Sequence, residues 1–373
     1  MGEVKFIDLE TQQNIFSENI SKAIHRVLKH GRYVLGPEVL ELEQQLSRFC
    51  GAKHAISCAN GTDALKLILM AKNIGHNSAV FVPSFTFAAT AEVVKHLGAQ
   101  PIFVDVLPNT FNIDPQSLKA GIQVAKKLGL KLSAIIAVDL FGQPADYDVI
   151  EKLAHENNMW VLCDAAQSFG ASYKGRKAGS IGLATATSFY PSKPLGCYGD
   201  GGCIFTNDDE LTDIIRSLRV NGRGQEQYEH IRVGINSRLD TIQAAILLEK
   251  LKIFPEEIKK RQEIAIKYNS FLHEVTSIPG VVEGVESAWA VYTIILNNNQ
   301  KRDLIQSALR DKGIPTAVYY PKSLHQQQAY MDCKASDSLK NSEWLSQKVL
   351  SLPMHPYLHI TNGYLEKLIT ILK

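Results

Sequence analysis

The spacing of apolar residues changes character along this chain. Residues 14–29 place Ile20, Ile24, Val27 and Leu28 at helical spacing. The stretch GPEVLELEQQLSRFCGA repeats the pattern with Val39, Leu42, Leu46 and Phe49, and Pro37 suits its first helical turn. Short apolar runs then take over: HAISC, AVFVP, PIFVDV, AIIAVDLFG, WVLCDAA, ATATSFY and GCIFT, most of them separated by helical patterns at 62–72, 85–97 and 146–157. That rhythm predicts a mostly parallel central sheet with helices on both faces, an α/β fold. After about residue 245 a long helical stretch breaks near Pro255. AVYTIIL, TAVYY and VLSLP then predict strands among helices at 301–312, 341–349 and 362–372. The expected division is a large domain over 1–250, N-terminal helices included, and a small α+β domain over 251–373. In sheets of this kind ligands bind beyond the carboxyl ends of the strands.

A length of 373 residues suffices for two such domains. Lys and Arg number 40 against 38 Asp and Glu, so charge makes no case for nucleic acid or an anionic membrane. No apolar run reaches the roughly 18–20 residues of a membrane span, and the opening MGEVKFIDLE lacks a signal peptide's apolar core. The six cysteines form no C-x-x-C pair and no zinc pattern, which reads as reduced, mostly buried thiols of a cytoplasmic protein without a metal.

Polar residues at four strand ends carry the chemistry. SCANGTDAL passes from strand to helix through Asn60, Gly61 and Thr62, exposing backbone N–H groups suited to a phosphate. WVLCDAAQSFGA sets Asp164 directly after a buried strand, where a carboxylate is costly without a partner and where a helix cap is the plainer explanation. SFYPSKPLGCYGDGG places Ser188 and a lone Lys193 after the next strand. One ligand accounts for all of these: pyridoxal phosphate needs an amine for its aldehyde, an acid for its ring nitrogen and a helix N-terminus for its phosphate. GCYGDGG has no lysine after it and is not a P-loop.

The ordered set NGTDAL, PSFTFAAT, DAAQSFGA, SFYPSK, GDGG and NSRLDTIQAAIL resembles the DegT/DnrJ/EryC1/StrS family of sugar aminotransferases, over nearly the whole chain. The resemblance implies the type I fold of pyridoxal phosphate-dependent transferases and a homodimer with shared active sites. It implies a covalent bond to the cofactor at Lys193, with Asp164 on the pyridine nitrogen. Phe87 takes the ring-stacking position and Gln167 lies beside the cofactor. Gly61, Thr62, Asp63 and Ser188 contact the phosphate, with Asn236 reaching it from the neighbouring subunit. The reaction implied is two half-transfers, glutamate to 2-oxoglutarate and then keto sugar to amino sugar, with pyridoxamine phosphate between them. The wording is similar to a subgroup acting on UDP-2-acetamido-2-deoxy-3-oxo-glucuronate in bacterial O-antigen and related polysaccharide synthesis. Two carboxylate substrates call for an arginine, Arg238 first and Arg232 second. Tyr319, Tyr320 and His325 are expected on the sugar side. Departures from the family are Tyr319 before Tyr320, where His-Tyr is common, Asp139 in place of Ser or His, and 121–133, expected to be a variant loop; they are expected to touch substrate contacts. The rivals are a 4-keto UDP- or dTDP-sugar aminotransferase, a related sugar 3-dehydratase, which would carry His at position 193, and a catalytically silent regulatory or binding protein.

Overall fold

A computed structural model describes residues 4–226, 228–297 and 301–373. Two helices come first, α1 (Leu9–His30) and α2 (Pro37–Cys50), followed by β1 (His54–Cys58), α3 (Gly61–Ala71), β2 (Ser78–Pro83), α4 (Ala89–His96), β3 (Gln100–Val104), α5 (Pro115–Lys127), β4 (Lys131–Val138), α6 (Tyr147–Glu156) and β5 (Trp160–Asp164). The short strands β6 (Ser172–Tyr173) and β7 (Arg176–Lys177) precede β8 (Ala184–Ser188), β9 (Gly202–Thr206), α7 (Asp209–Leu218) and α8 (Thr241–Leu251). The remainder holds α9 (Phe254–Leu272), β10 (Val285–Glu286), β11 (Tyr292–Ile295), α10 (Arg302–Asp311), β12 (Lys334–Ala335), α11 (Lys340–Lys348), β13 (Val349–Leu352) and α12 (Asn362–Leu372).

The main sheet has eight strands in the order β1-β9-β8-β5-β4-β2-β3-β12. Only β9 runs against the rest, antiparallel to both β1 and β8. Strands such as β2 are buried throughout because helices cover both faces. Val80, Val82 and Phe103 join the core under α3 and α4, whereas Ala79, Phe81 and Ile102 join the core under α5 and α6. A separate core of α9, β11, β13 and α12 is built around Tyr268, Tyr292, Leu350 and Leu365. The chain start reaches that core too: Val4 packs on it and Phe6 O accepts from Met354 N.

Three expectations change. The segment 121–133 is not a loop: α5 continues to Lys127 and β4 begins at Lys131. Its Gly121 is a packing glycine, since a Cβ there would come within 3.0 Å of Val104 Cγ1 on β3. TAVYY forms no strand; Ala317 makes one isolated bridge to Ser351 on the edge of β13 that β11 leaves open, and the rings beyond it pack elsewhere, Tyr319 against Phe6 and Tyr320 against Phe87. In α1 the buried stripe is Ile20, Ala23 and Val27, with Leu28 exposed, so the inward face is turned from the one anticipated.

Candidate active site

Strand register builds the first half of the site. Gly202 opens β9 and pairs with both Cys58 and Ser188, so the ends of β1 and β8 lie on either side of one glycine. A Cβ on Gly202 would collide with Asn60 O, and one on Gly61 would come within 2.8 Å of Ser188 Cβ. The two glycines thus let a strand end and a helix start touch. Asn60 caps α3: its Oδ1 accepts from Asp63 N at 2.8 Å, and its carbonyl accepts from Ala64 N at 3.1 Å. The N–H groups of Gly61 and Thr62 have no partner among the described residues and stand at the positive end of the helix. Asp63 spends its N–H on the cap, which narrows the expected backbone contacts to its two predecessors. Ser188 Oγ, beside Gly61, accepts from Tyr190 N at 3.2 Å.

The second half gathers at the end of β5. Asp164 is buried, and burial raises its carboxyl above the ordinary value; the Ala166 N–H, the Lys193 ammonium and the Thr90 hydroxyl act the other way. Ala166 N donates to Asp164 Oδ1 at 3.2 Å and Thr90 Oγ1 to Oδ2 at 3.3 Å. Lys193 is half-buried on a turn closed by its own N–H on Tyr190 O. Burial lowers its ammonium, and the Asp164 carboxylate opposes that shift. Thr90 lies within PSFTFAAT, and only the fold shows that α4 points its hydroxyl at the carboxylate.

Phe87 is 59% exposed and therefore is not a core phenylalanine. Its ring centroid is 6.4 Å from that of Tyr320. Burial pushes the Tyr320 phenol up, the nearby Asp164 charge adds to that shift and Gln167 opposes it. Gln167 Oε1 accepts from Phe141 N at 2.5 Å. A groove of about 690 Å³ opens beside Phe87 and Tyr320, lined also by Thr86, Lys322 and Gln327. The buried Thr86 hydroxyl in its wall has no partner among the described residues.

The remaining candidates scatter. Asn236 is exposed and bridges Val220 at the base of a hairpin; the next residue, Ser237, is anchored by accepting from Ala59 N at 3.1 Å. Arg238 is half-buried, while Arg232 is exposed and donates to Ser217 Oγ at 3.3 Å. Tyr319 packs against Phe6, ring centroids 6.3 Å apart. His325 is held at both ring nitrogens: Nδ1 meets Ser84 Oγ at 2.6 Å and Nε2 meets Glu343 Oε1 at 3.0 Å. Asp139 is not a substrate contact, being fully buried. It accepts from Tyr147 OH at 2.6 Å, Ser168 Oγ at 2.7 Å and Ala145 N at 3.0 Å. Cys163 Sγ lies 3.5 Å away, and the Asp139 N–H donates to Asp164 O at 3.1 Å. Asp139 therefore ties the residues flanking Asp164 and Gln167 from behind.

The donor set fits pyridoxal phosphate: a buried carboxylate for a ring cation, an amine facing it, an exposed aromatic face, and two free N–H groups on a glycine turn. Fold and site together define a type I pyridoxal phosphate-dependent transferase. The model of the DegT/DnrJ/EryC1/StrS aminotransferase family matches residues 14–372. The UDP-2-acetamido-2-deoxy-3-oxo-D-glucuronate aminotransferase of Pseudomonas aeruginosa is 50% identical over 356 residues, covering 95% of this chain and 96% of that one. The dTDP-3-amino-3,6-dideoxy-alpha-D-galactopyranose transaminase of Aneurinibacillus thermoaerophilus is 38% identical, covering 95% and 94%. Among solved structures, a DegT DnrJ EryC1 StrS aminotransferase from Brucella abortus superposes with TM-score 0.95 at 48% identity, covering 99% and 98%. This chain belongs to the DegT/DnrJ/EryC1/StrS aminotransferase family and is a pyridoxal phosphate-dependent sugar aminotransferase. No helix among the described residues is long and apolar enough to cross a membrane.

Proposed function

We propose that the enzyme moves an amino group from glutamate to C3 of UDP-2-acetamido-2-deoxy-3-oxo-D-glucuronate, within bacterial surface-polysaccharide synthesis in the cytoplasm. The observation that carries the substrate is the 50% identity to the P. aeruginosa enzyme of that name over 95% of the chain. The cofactor, when bound, supplies the electron-withdrawing ring and the carbon that carries nitrogen from donor to acceptor.

The residues divide the remaining work. Asp164, caged by Thr90 and Ala166, holds a proton at the ring nitrogen and keeps it cationic. Lys193 has its ammonium weakened by burial, so a neutral amine is accessible to move a proton at the sugar carbon that gains nitrogen. Gly61 and Thr62 N–H groups and the Ser188 hydroxyl hold the phosphate, and Phe87 covers one ring face. Gln167 and Tyr320 border the acceptor side. Asn236 and Arg238 lie on the segment following the exposed hairpin and serve the site of a second copy in a homodimer, Arg238 meeting a substrate carboxylate.

Incubation with glutamate and the 3-keto uronate, followed by NMR of the product, tests the reading. An amino group at C3 with stoichiometric 2-oxoglutarate is expected. Turnover of a 4-keto UDP- or dTDP-sugar, with none of the 3-keto uronate, would sink the substrate assignment. Lys193→Ala is expected to lose turnover by at least ~10³-fold, the scale of a removed proton-transfer group.

A further inference from the structure

Lys250, near the end of α8, is 1% exposed. Its ammonium donates to Gly196 O at 2.7 Å and stands over the Tyr198 ring, 4.3 Å from the centroid. No Asp or Glu oxygen lies within ion-pair distance of it among the described residues. The titratable groups facing it are Cys197 and Tyr198 on the loop below and Glu257 on α9. Glu257 is itself occupied, accepting from Gln12 Nε2 at 2.7 Å and Tyr357 OH at 2.5 Å. Burial brings the Lys250 ammonium down to about 8, opposed by Glu257 and Cys197. A desolvated cation with only a carbonyl and an aromatic face for company is costly, and methionine would fill the same space without that cost.

What Lys250 grips gives it a purpose. Gly196 is three residues beyond Lys193, on one closed turn: Lys193 N donates to Tyr190 O, and Cys197 N to Phe189 O. A Cβ on Gly196 would lie 2.5 Å from Pro191 O, so the turn has no slack. Gln243, two helical turns before Lys250 on the same face of α8, binds Tyr198 at both N (2.8 Å) and O (3.1 Å). One helix face thus clamps both residues that flank Cys197.

We propose that Lys250 is a positioning residue for Lys193: by holding the Gly196 carbonyl and the Tyr198 ring, it fixes the turn from which the Lys193 amine projects toward Asp164. This rests on the reading of Lys193 as the amine that binds the cofactor. The test uses cofactor-free protein. Reductive methylation with limiting formaldehyde and cyanoborohydride, resolved by peptide mass spectrometry, gives the modification rate of Lys193 against pH. Titration with pyridoxal phosphate gives the dissociation constant. Lys250→Met is expected to change the Lys193 rate at least fivefold, with a shifted midpoint, and to weaken pyridoxal phosphate binding about tenfold; Lys250→Arg, which keeps a donor, stays within threefold. Tyr198→Leu removes only the ring and moves both readings the same way by about threefold, so the test survives a Met variant that does not fold. Unchanged Lys193 profiles and affinities in the folded variants, with at most a lower melting temperature, would overturn the proposal. Borohydride trapping of wild type with pyridoxal phosphate separates the two readings. A tag at Lys193 upholds the premise even where Lys250 is inert, and a tag elsewhere removes the premise and the proposal together.

Discussion

Asp139 shows how far one buried side chain reaches. Its carboxyl is raised from an ordinary 3.8 to about 6 because burial outweighs the hydrogen bonds from Ser168, Tyr147 and Ala145. An acid raised on folding stabilises less as it ionises. Its contribution is fully present below the unfolded value near 3.8 and is lost as pH rises through about 6. Asp139→Asn is therefore expected to flatten the stability–pH curve between those limits, measured by urea unfolding at pH 4–7. An unchanged slope would show that the carboxyl is not titrating there. Thr90→Val removes the hydroxyl that meets Asp164 Oδ2. A hydrogen bond to a charged group contributes about 1.5–3 kcal/mol, so at 3.3 Å a loss near tenfold in pyridoxal phosphate affinity is expected by titration of the cofactor-free protein. Neither position was legible as such. Asp139 stood out only as an unusual residue near substrate, and burial in a shared network is a property of four segments at once.

At the scale of elements, the start of α3 is where local sequence and tertiary contact meet. Asn60, Gly61 and Thr62 spell a capped helix entry whatever surrounds them. That Ser188 presses against Gly61 depends on β9 pairing with both β1 and β8. Gly61→Ala is expected to weaken pyridoxal phosphate binding by tenfold or more and to lower stability, and adding Ser188→Gly, which vacates the contested space but removes a phosphate-binding hydroxyl, to recover stability in urea unfolding and not affinity. Equal stability of the single and double variants would show that the clash is not what matters. Asn60→Ala should cost about 1 kcal/mol of stability through the lost cap, read by denaturant unfolding. The same two-sided logic explains Gly121. The stretch 121–133 reads as a variant loop, yet its Gly121 is the point where α5 approaches β3.

At the scale of the whole molecule, a buried ion pair ties the layers together. Glu43 on α2 accepts from Arg219 at 2.6 Å and Arg216 at 3.1 Å, and from Ser57 N and Oγ on β1. Burial pushes the Glu43 carboxyl up, but the two guanidiniums outweigh it with help from Ser57, leaving it below its ordinary 4.5. The pair therefore stabilises above that pH and fails as pH falls through the lower folded value. Glu43→Gln should cost about 3–5 kcal/mol at pH 7 in urea unfolding, and a Glu43→Gln, Arg219→Met double variant less than the sum of the two. The hairpin that follows Arg219 exposes Val233 and Tyr228, apolar surface suited to a second copy. If Asn236 serves that copy's site, mixing the inactive Lys193→Ala and Asn236→Ala proteins should restore activity through hybrid dimers that hold one intact site. No recovery after subunit exchange would count against sharing.

The order of elements, the parallel character of the sheet and the lone lysine, aspartate and glycine turn at strand ends were set by the sequence alone. Apolar period, turn residues and the cost of a buried charge are local properties of a chain. Strand order, the partner of each strand end, the two hydrogen bonds that hold His325 and the burial of Asp139 in a shared network required the tertiary structure. Those outcomes depend on which distant groups arrive within hydrogen-bond distance, and a linear pattern does not carry that information.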